Sequence, residues 1–134
     1  MPSFLPRRDF LRQLLAVPFA GAPALAPART AEVDFSVFPV AGFRYYDGPN
    51  LLDRLRAGDP VRLVREPDNP HDPQAIRIEA LGQRVGYVPR SENRPLVRLL
   101  EQGAELRGRI IAVDPGGDRW EAVRVGVSLY LPGT

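Results

Sequence analysis

Three prolines fall within the seven residues 67–73, and this segment constrains the fold more than any other part of the sequence. Proline has no backbone N–H and a fixed φ angle, so the segment can lie neither inside a helix nor in a central strand. The segments on either side, 61–66 and 75–80, have the length of strands, and the second alternates apolar and polar residues. The sequence therefore predicts two strands joined by a rigid loop.

Glycine and proline turns divide the rest of the chain into further short elements. We expect six strands, at residues 37–45, 61–66, 75–80, 84–88, 105–114 and 119–131. Asn50 is predicted to cap a short helix that ends at Gly58, and Pro95 is predicted to lie in the first turn of a second helix that ends at Gly103. Closing a sheet removes its exposed edges, so we predict a mainly β fold: a small OB/SH3-like barrel of about six strands with two short helices.

The first 28 residues have the three regions of an export signal. Arg7 and Arg8 form a twin-arginine pair, residues 14–25 are apolar, and residues 26–28 match an A-x-A cleavage pattern. An amphipathic cytosolic helix or a membrane anchor are the alternatives, but a span needs about 20 apolar residues and this run is shorter and contains two prolines. We expect a Tat signal peptide at 1–28, a linker at 29–35 and the domain at 36–134. The mature chain would be periplasmic or extracellular, without a membrane span.

Charge and composition limit what the mature domain can do. Residues 1–28 contain three arginines and one aspartate, so residues 29–134 hold 15 basic and 15 acidic residues. A neutral domain has no global field that attracts polyanions, and nucleic-acid binding would depend on a local patch. The chain contains no cysteine and no lysine, which excludes disulfides, thiolate zinc sites, a P-loop and a lysine Schiff base.

No set of residues in the sequence indicates an enzyme. His71 is the single histidine and is followed by Asp72, but neighbours in sequence rarely form a catalytic triad and no G-x-S-x-G motif is present. Asp68, Asn69 and Asp72 could suggest a Ca²⁺ loop, although their spacing does not match an EF-hand. We expect no catalytic residue, no metal and no cofactor.

Three stretches resemble the HIRAN domain family, whose members include modules of DNA-fork-remodelling ATPases and bacterial proteins. They are VAGFRYY at 40–46, VREPDNPHDPQAI at 64–76 and VGYVP at 85–89. The resemblance covers about residues 36–131, and the middle stretch is the most specific. It implies a modified OB-type barrel that holds single-stranded DNA at a free 3′ end. We expect this domain to stand alone behind the signal peptide.

The resemblance also implies roles for individual residues. Tyr45 would stack on a base, Arg44 would contact a phosphate, and His71 would take the place of a stacking aromatic residue. Asp72 would accept a hydrogen bond from the terminal sugar hydroxyl, because a carboxylate repels phosphate but accepts a hydroxyl donor.

Two further aromatic residues complete the implied site. Tyr87 stands where the family can place a polar aromatic residue, and Trp120 falls near a further aromatic contact. Five of the six implied nucleic-acid-binding residues also have structural alternatives: Arg44 and Tyr45 could end a strand, His71 could have a structural role, Asp72 could cap a turn, and Trp120 could pack against the hairpin or the second helix.

Two functions remain open on the sequence. The favoured one is an exported module that binds single-stranded DNA or a free 3′-OH end without catalysing a reaction. The alternative is a non-catalytic protein-interaction or envelope scaffold module that kept the fold but not DNA binding, with another envelope protein as its partner.

Overall fold

A computed structural model of the chain describes residues 31–116 and 121–132. Residues 32–130 form one compact unit. Of the residues outside this unit, the structure describes 31, 131 and 132. The predicted signal peptide therefore lies outside the described residues.

The described chain contains six strands, two α-helices and one 3₁₀ helix. In chain order they are β1 (Ala31–Pro39), the 3₁₀ helix (Phe43–Tyr45), α1 (Gly48–Leu51), β2 (Pro60–Arg65), β3 (Ile76–Ala80), β4 (Gln83–Tyr87), α2 (Arg90–Glu101), β5 (Glu105–Val113) and β6 (Val123–Leu131).

The strands form one sheet in the order β1-β6-β5-β2-β3-β4, with antiparallel pairing. The segment after β1 continues along β6 and then pairs with β4, the strand at the opposite edge of the sheet. Val40 donates its backbone N–H to the carbonyl of Val123 in β6 at 3.0 Å, and Ala41 exchanges two backbone hydrogen bonds of 2.8 and 2.9 Å with Tyr87 in β4. The sheet is thereby closed into a small barrel, as the sequence predicts.

Closure depends on a glycine in β4. Gly86 has a φ of 155°, and a Cβ atom at this position would overlap the carbonyl oxygen of Ala41 and the side chain of Val40. Only a residue without a side chain lets the two backbones approach this closely.

The hydrophobic core lies inside the barrel and extends to the face of α2 that packs against it. β3 alternates as its sequence predicts, with Ile76 and Ile78 fully buried. Val123 and Val125 of β6 face the same core, and Leu96 of α2 packs against it. Burial of such side chains contributes about 1.5–3 kcal/mol each relative to exposure.

Several element boundaries differ from the prediction, above all those of the first strand and of the two helices. The sequence predicts the first strand at residues 37–45 after a linker at 29–35, but β1 begins at Ala31, and residues Phe43–Tyr45 form a 3₁₀ helix. Gly42, with a φ of 74°, turns the chain out of the extended conformation just before that helix.

The second helix begins earlier than predicted. It starts at Arg90, so Pro95 lies inside the helix rather than in its first turn. The buried residues Leu96 and Val97 hold the helix against the barrel. The free energy of this packing exceeds the cost of the backbone hydrogen bond that the helix loses at Pro95. The first helix is a single turn that begins at Gly48, two residues before the predicted cap, Asn50.

Candidate functional site

A cavity of about 210 Å³ opens where the barrel closes, and we call it the closure cavity. Three parts of the chain line it: the segment after β1, the proline-rich loop between β2 and β3, and the junction of β4 with α2. The lining residues are Ala41, Gly42, Tyr46, Asn69, His71, Asp72, Ala75, Tyr87, Val88 and Arg90.

Asn69 organises the proline-rich loop from within. Its side-chain oxygen accepts the backbone N–H groups of His71 at 2.9 Å and of Asp72 at 3.2 Å. Its side-chain amide donates to Oε1 of Glu66 at 3.0 Å. Asparagine commonly stabilises turns in this way, and together with the three prolines it fixes where the loop presents His71 and Asp72.

Asp72 connects the loop to α2. Its Oδ1 accepts the backbone N–H of Gln74 at 2.8 Å, and its Oδ2 accepts Nδ2 of the buried Asn93 at 2.9 Å. The Nε atom of Arg90 lies 3.8 Å from the same Oδ2. A carboxylate has about four acceptor positions, so these contacts orient Asp72 and leave it able to accept a hydroxyl from the cavity.

Two tyrosine rings form the aromatic wall of the closure cavity. The rings of Tyr46 and Tyr87 meet edge to face, with centroids 5.5 Å apart and an interplanar angle of 62°, which is a favoured aromatic geometry. The guanidinium of Arg84 lies 4.2 Å from the centroid of Tyr46 and donates to the phenol oxygen of Tyr87 at 3.3 Å. The wall therefore combines π surface with a cation.

Glu66 supports this wall from the loop side. Its Oε1 accepts from the phenol of Tyr87 at 2.8 Å, and its Oε2 accepts from Arg77 at 2.7 Å. Burial on its own would raise the pKa of Glu66, but the hydrogen bonds from Asn69, Tyr87 and Arg77 together lower it below its ordinary value. Burial and the bond to Glu66 raise the pKa of Tyr87, so the ionised acid accepts and the neutral phenol donates.

Arg44 and Tyr45 lie on the 3₁₀ helix and do not line the closure cavity. The Tyr45 side chain is 65% exposed, and the guanidinium of Arg44 lies 5.0 Å from its ring centroid. Both residues are close in sequence to the lining residues Gly42 and Tyr46, and their predicted nucleic-acid contacts stay predictions.

His71 is exposed and borders two further depressions beside the closure cavity. Its backbone carbonyl accepts a hydrogen bond from Arg90 at 2.7 Å. One depression, of about 580 Å³, runs along the loop past Arg65 and Arg77. The other, of about 500 Å³, runs along the start of α2 past Arg90 and Arg94.

Of the six predicted site residues, His71, Asp72 and Tyr87 are brought together at the closure cavity. Trp120 lies outside the described residues, so its predicted role is unaffected by the structure. The sequence does not single out Tyr46, Asn69 and Arg90, which also line this cavity. Nor does it single out Glu66 and Arg84, which line the adjoining depression on the loop side. Tyr46, Glu66 and Asn69 all stand within the quoted family stretches, which was the one available signal for them.

The described residues provide no evidence for a metal centre or a membrane span. Across 31–116 and 121–132, no group of three or more His, Cys, Asp or Glu side chains is placed to hold a metal ion. Within those same ranges, no helix is long and apolar enough to cross a bilayer.

Comparison with known proteins identifies a family. The HIRAN domain family model matches residues 33–132. A protein of known structure from Lactobacillus plantarum is 30% identical, with a TM-score of 0.66, covering 75% of this chain and 97% of its own. The HIRAN domain of human HLTF is 23% identical, with a TM-score of 0.55, covering 74% of this chain and 78% of its own, and this likeness concerns the fold alone. No curated protein matches the chain significantly.

Proposed function

The chain belongs to the HIRAN domain family, and we propose that its closure cavity binds single-stranded DNA at a free 3′ end. The observation that supports this most is the convergence of two aromatic rings, one arginine and one carboxylate in the closure cavity, with a second arginine against its aromatic wall. These are the groups that a terminal nucleotide needs: π surface for a base, cations for phosphate and an acceptor for the sugar hydroxyl.

The base would be held by aromatic surface. Tyr46 and Tyr87 form the inner wall, and the exposed ring of Tyr45 offers a further platform at the rim. Stacking of a base on an aromatic side chain contributes about 1–3 kcal/mol and tolerates any base. We therefore expect little sequence preference.

The phosphate and the hydroxyl would be distinguished by charge. Arg90 lies at the mouth of the cavity beside Asp72, and Arg84 lies on the Tyr46 wall. Each guanidinium can donate to phosphate oxygens. Asp72 can accept a 3′ hydroxyl but would repel a 3′ phosphate, which makes the site selective for an unmodified end.

A titration with two ligands tests this proposal. Labelled oligothymidylates that differ only in a 3′ hydroxyl or a 3′ phosphate are added to the protein at fixed low salt, and fluorescence anisotropy is followed. We expect the hydroxyl form to bind tighter by about 1.5–3 kcal/mol, the range for hydrogen bonds to charged groups. Equal affinity for both ends, or no binding of either, contradicts the proposal.

The protein-interaction alternative is favoured by one separate observation. The outer strand β1 carries three exposed apolar side chains, Val33, Phe35 and Val37, and an outer strand can pair with a partner chain. If neither oligonucleotide binds, this strand becomes the surface to examine. Hydrolysis of the oligonucleotide that a chelator abolishes would instead indicate a nuclease, which we do not expect.

We also propose that the chain is exported by the Tat route to the periplasm or the extracellular space. The support is the sequence of residues 1–28. Sequencing of the mature N-terminus, with Arg7→Lys/Arg8→Lys as the comparison, tests it. Cleavage after Ala28 that is lost in the variant supports export, and full-length cytosolic protein in both cases contradicts it.

A further inference from the structure

Three arginines recur at intervals of four residues along α2. Arg90, Arg94 and Arg98 are all exposed, and side chains four apart lie on one flank of a helix, about 6 Å from one another along its axis. The buried residues Leu96 and Val97 hold the other side of this helix against the core. The row is therefore a fixed line of positive charge on a rigid element.

Arg94 and Arg98 have no acidic partner within the part of the chain that the structure describes. None of its ion pairs includes Arg94 or Arg98, and Arg90 lies 3.8 Å from Asp72. α2 also carries two acids. Glu101 pairs with Arg65 of β2 at 3.5 Å, and Glu92 accepts a 3.4 Å hydrogen bond from Ser36 of β1.

The row starts at the closure cavity. Arg90 lines that cavity, and the adjoining depression of about 500 Å³ is lined by both Arg90 and Arg94 as well as by His71 and Asp72. A chain with its end beside Asp72 would meet Arg94 and then Arg98 as it leaves along the helix.

The depression on the loop side is a poorer path for a polyanion. Two of its three arginines are already engaged: Arg77 binds Glu66 at 2.7 Å and Glu79 at 2.9 Å, and Arg65 donates to the carbonyls of Pro73 and Ala75. The third, Arg84, lies against the Tyr46 ring of the closure cavity. The carboxylate of Glu66 also lines this side. Charge therefore favours the α2 side.

We infer that Arg94 and Arg98 bind successive phosphates of a DNA strand whose 3′ end occupies the closure cavity. This inference rests on the proposed function and adds to it: the ligand is an oligonucleotide that runs along α2, rather than a free nucleotide. It also explains how a domain of neutral overall charge could bind a polyanion, since the binding charge is concentrated in one row.

The test compares a short and a long ligand, the thymidine dinucleotide and the thymidine octanucleotide, both with a 3′ hydroxyl. The dinucleotide reaches only the closure cavity, whereas the octanucleotide also covers α2. The variant is Arg94→Gln/Arg98→Gln, since glutamine removes the charge and is a good helix former. The control is Arg54→Gln/Arg62→Gln, which removes the same charge from exposed positions outside the cavity.

We expect the wild type to bind the octanucleotide more tightly than the dinucleotide. In the α2 variant the octanucleotide should lose affinity and the dinucleotide should not. Loss of two phosphate contacts should reduce the magnitude of the slope of log K against log salt by about 1.4. The octanucleotide affinity of the wild type relative to the α2 variant should therefore shrink about sevenfold between about 50 and 200 mM salt. The control should behave as the wild type.

Four results would overturn the inference. An α2 variant that keeps both octanucleotide affinity and salt slope shows that the row makes no contact. An equal loss in the control shows a general charge effect. Equal binding of the two ligands by the wild type rejects the path along α2 while leaving end binding intact, whereas binding of neither ligand rejects the proposed function as well. Circular dichroism and thermal unfolding verify that α2 is intact in each variant.

Discussion

The phenol of Tyr87 donates a hydrogen bond of 2.8 Å to Oε1 of Glu66, across 21 residues of chain. Glu66 begins the proline-rich loop, and Tyr87 ends β4, where its backbone pairs with Ala41 to close the barrel. One residue therefore closes the barrel, lines the cavity and anchors the loop. The stability of the barrel and the shape of the cavity are consequently coupled through this bond.

Glu66→Gln should destabilise the protein by about 1–2 kcal/mol at neutral pH, because a neutral amide replaces a carboxylate that accepts three side-chain hydrogen bonds at a partly exposed site. The pKa of Glu66 is lower in the folded protein than its ordinary value of 4.5. Its stabilising contribution should therefore be complete above about pH 4.5 and should be lost as the pH falls through the folded-state pKa.

Denaturant unfolding of the wild type and Glu66→Gln between about pH 3 and pH 7 measures this contribution. The difference between them should narrow in acid, because protonation of the wild-type carboxyl mimics the substitution. A difference that is constant over the whole range would show that the charge of Glu66 has no part in holding the loop.

Gly86→Ala should destabilise the barrel by about 1–3 kcal/mol, the usual cost of an overpacked site, because the added methyl would overlap Ala41 and Val40. Gly82→Ala is a comparison with positive φ but open space around the Cβ position. Thermal unfolding of the two variants separates the effects: the larger loss should occur at position 86. Equal losses of stability would mean that backbone strain at positive φ, and not overlap with neighbouring atoms, determines the effect of both substitutions.

Tyr45→Ala should weaken oligonucleotide binding by about 1–3 kcal/mol if its ring stacks on a base. Since the side chain is 65% exposed, the free energy of unfolding should hardly change. Phe35→Ala is the matched control, an aromatic residue of 43% exposure that does not line the closure cavity. Unchanged affinity in Tyr45→Ala would remove this residue from the interface and leave Tyr46 and Tyr87 as the aromatic surface.

Much of the fold could be predicted because it follows from local rules. The alternation of Ile76 and Ile78 with polar neighbours marked β3, and the prolines of residues 67–73 marked the loop. The sequence predicts the start of β1 and the start of α2 less accurately. Residues 33–37 alternate apolar and polar, which is a strand signal that the predicted linker at 29–35 overlooks. In α2, tertiary packing of Leu96 and Val97 overrides the helix-breaking tendency of Pro95.

The site was less predictable, because its geometry arises from contacts between distant segments. The sequence pointed to His71, Asp72 and Tyr87, which do meet. It gave no physical reason to choose Tyr46 over Tyr45, since the choice depends on the 3₁₀ turn that follows Gly42.

The supporting contacts of the cavity were out of reach of sequence reasoning for the same reason. The bond from Asn93 to Asp72 joins two residues 21 positions apart. No spacing rule connects a loop carboxylate with a helix that begins after two further strands, so only the closed barrel shows that α2 orients Asp72.

The most direct test of end recognition is Asp72→Asn, measured with oligonucleotides ending in a 3′ hydroxyl or a 3′ phosphate. The structure allows this change: the new side-chain oxygen can still accept the N–H of Gln74, and Asn93 can rotate its amide to accept from the new NH₂ group. We predict that the wild type prefers the hydroxyl end and that Asp72→Asn, with unchanged thermal stability, binds the two ends equally. A preference for the hydroxyl end that survives in Asp72→Asn would contradict the account.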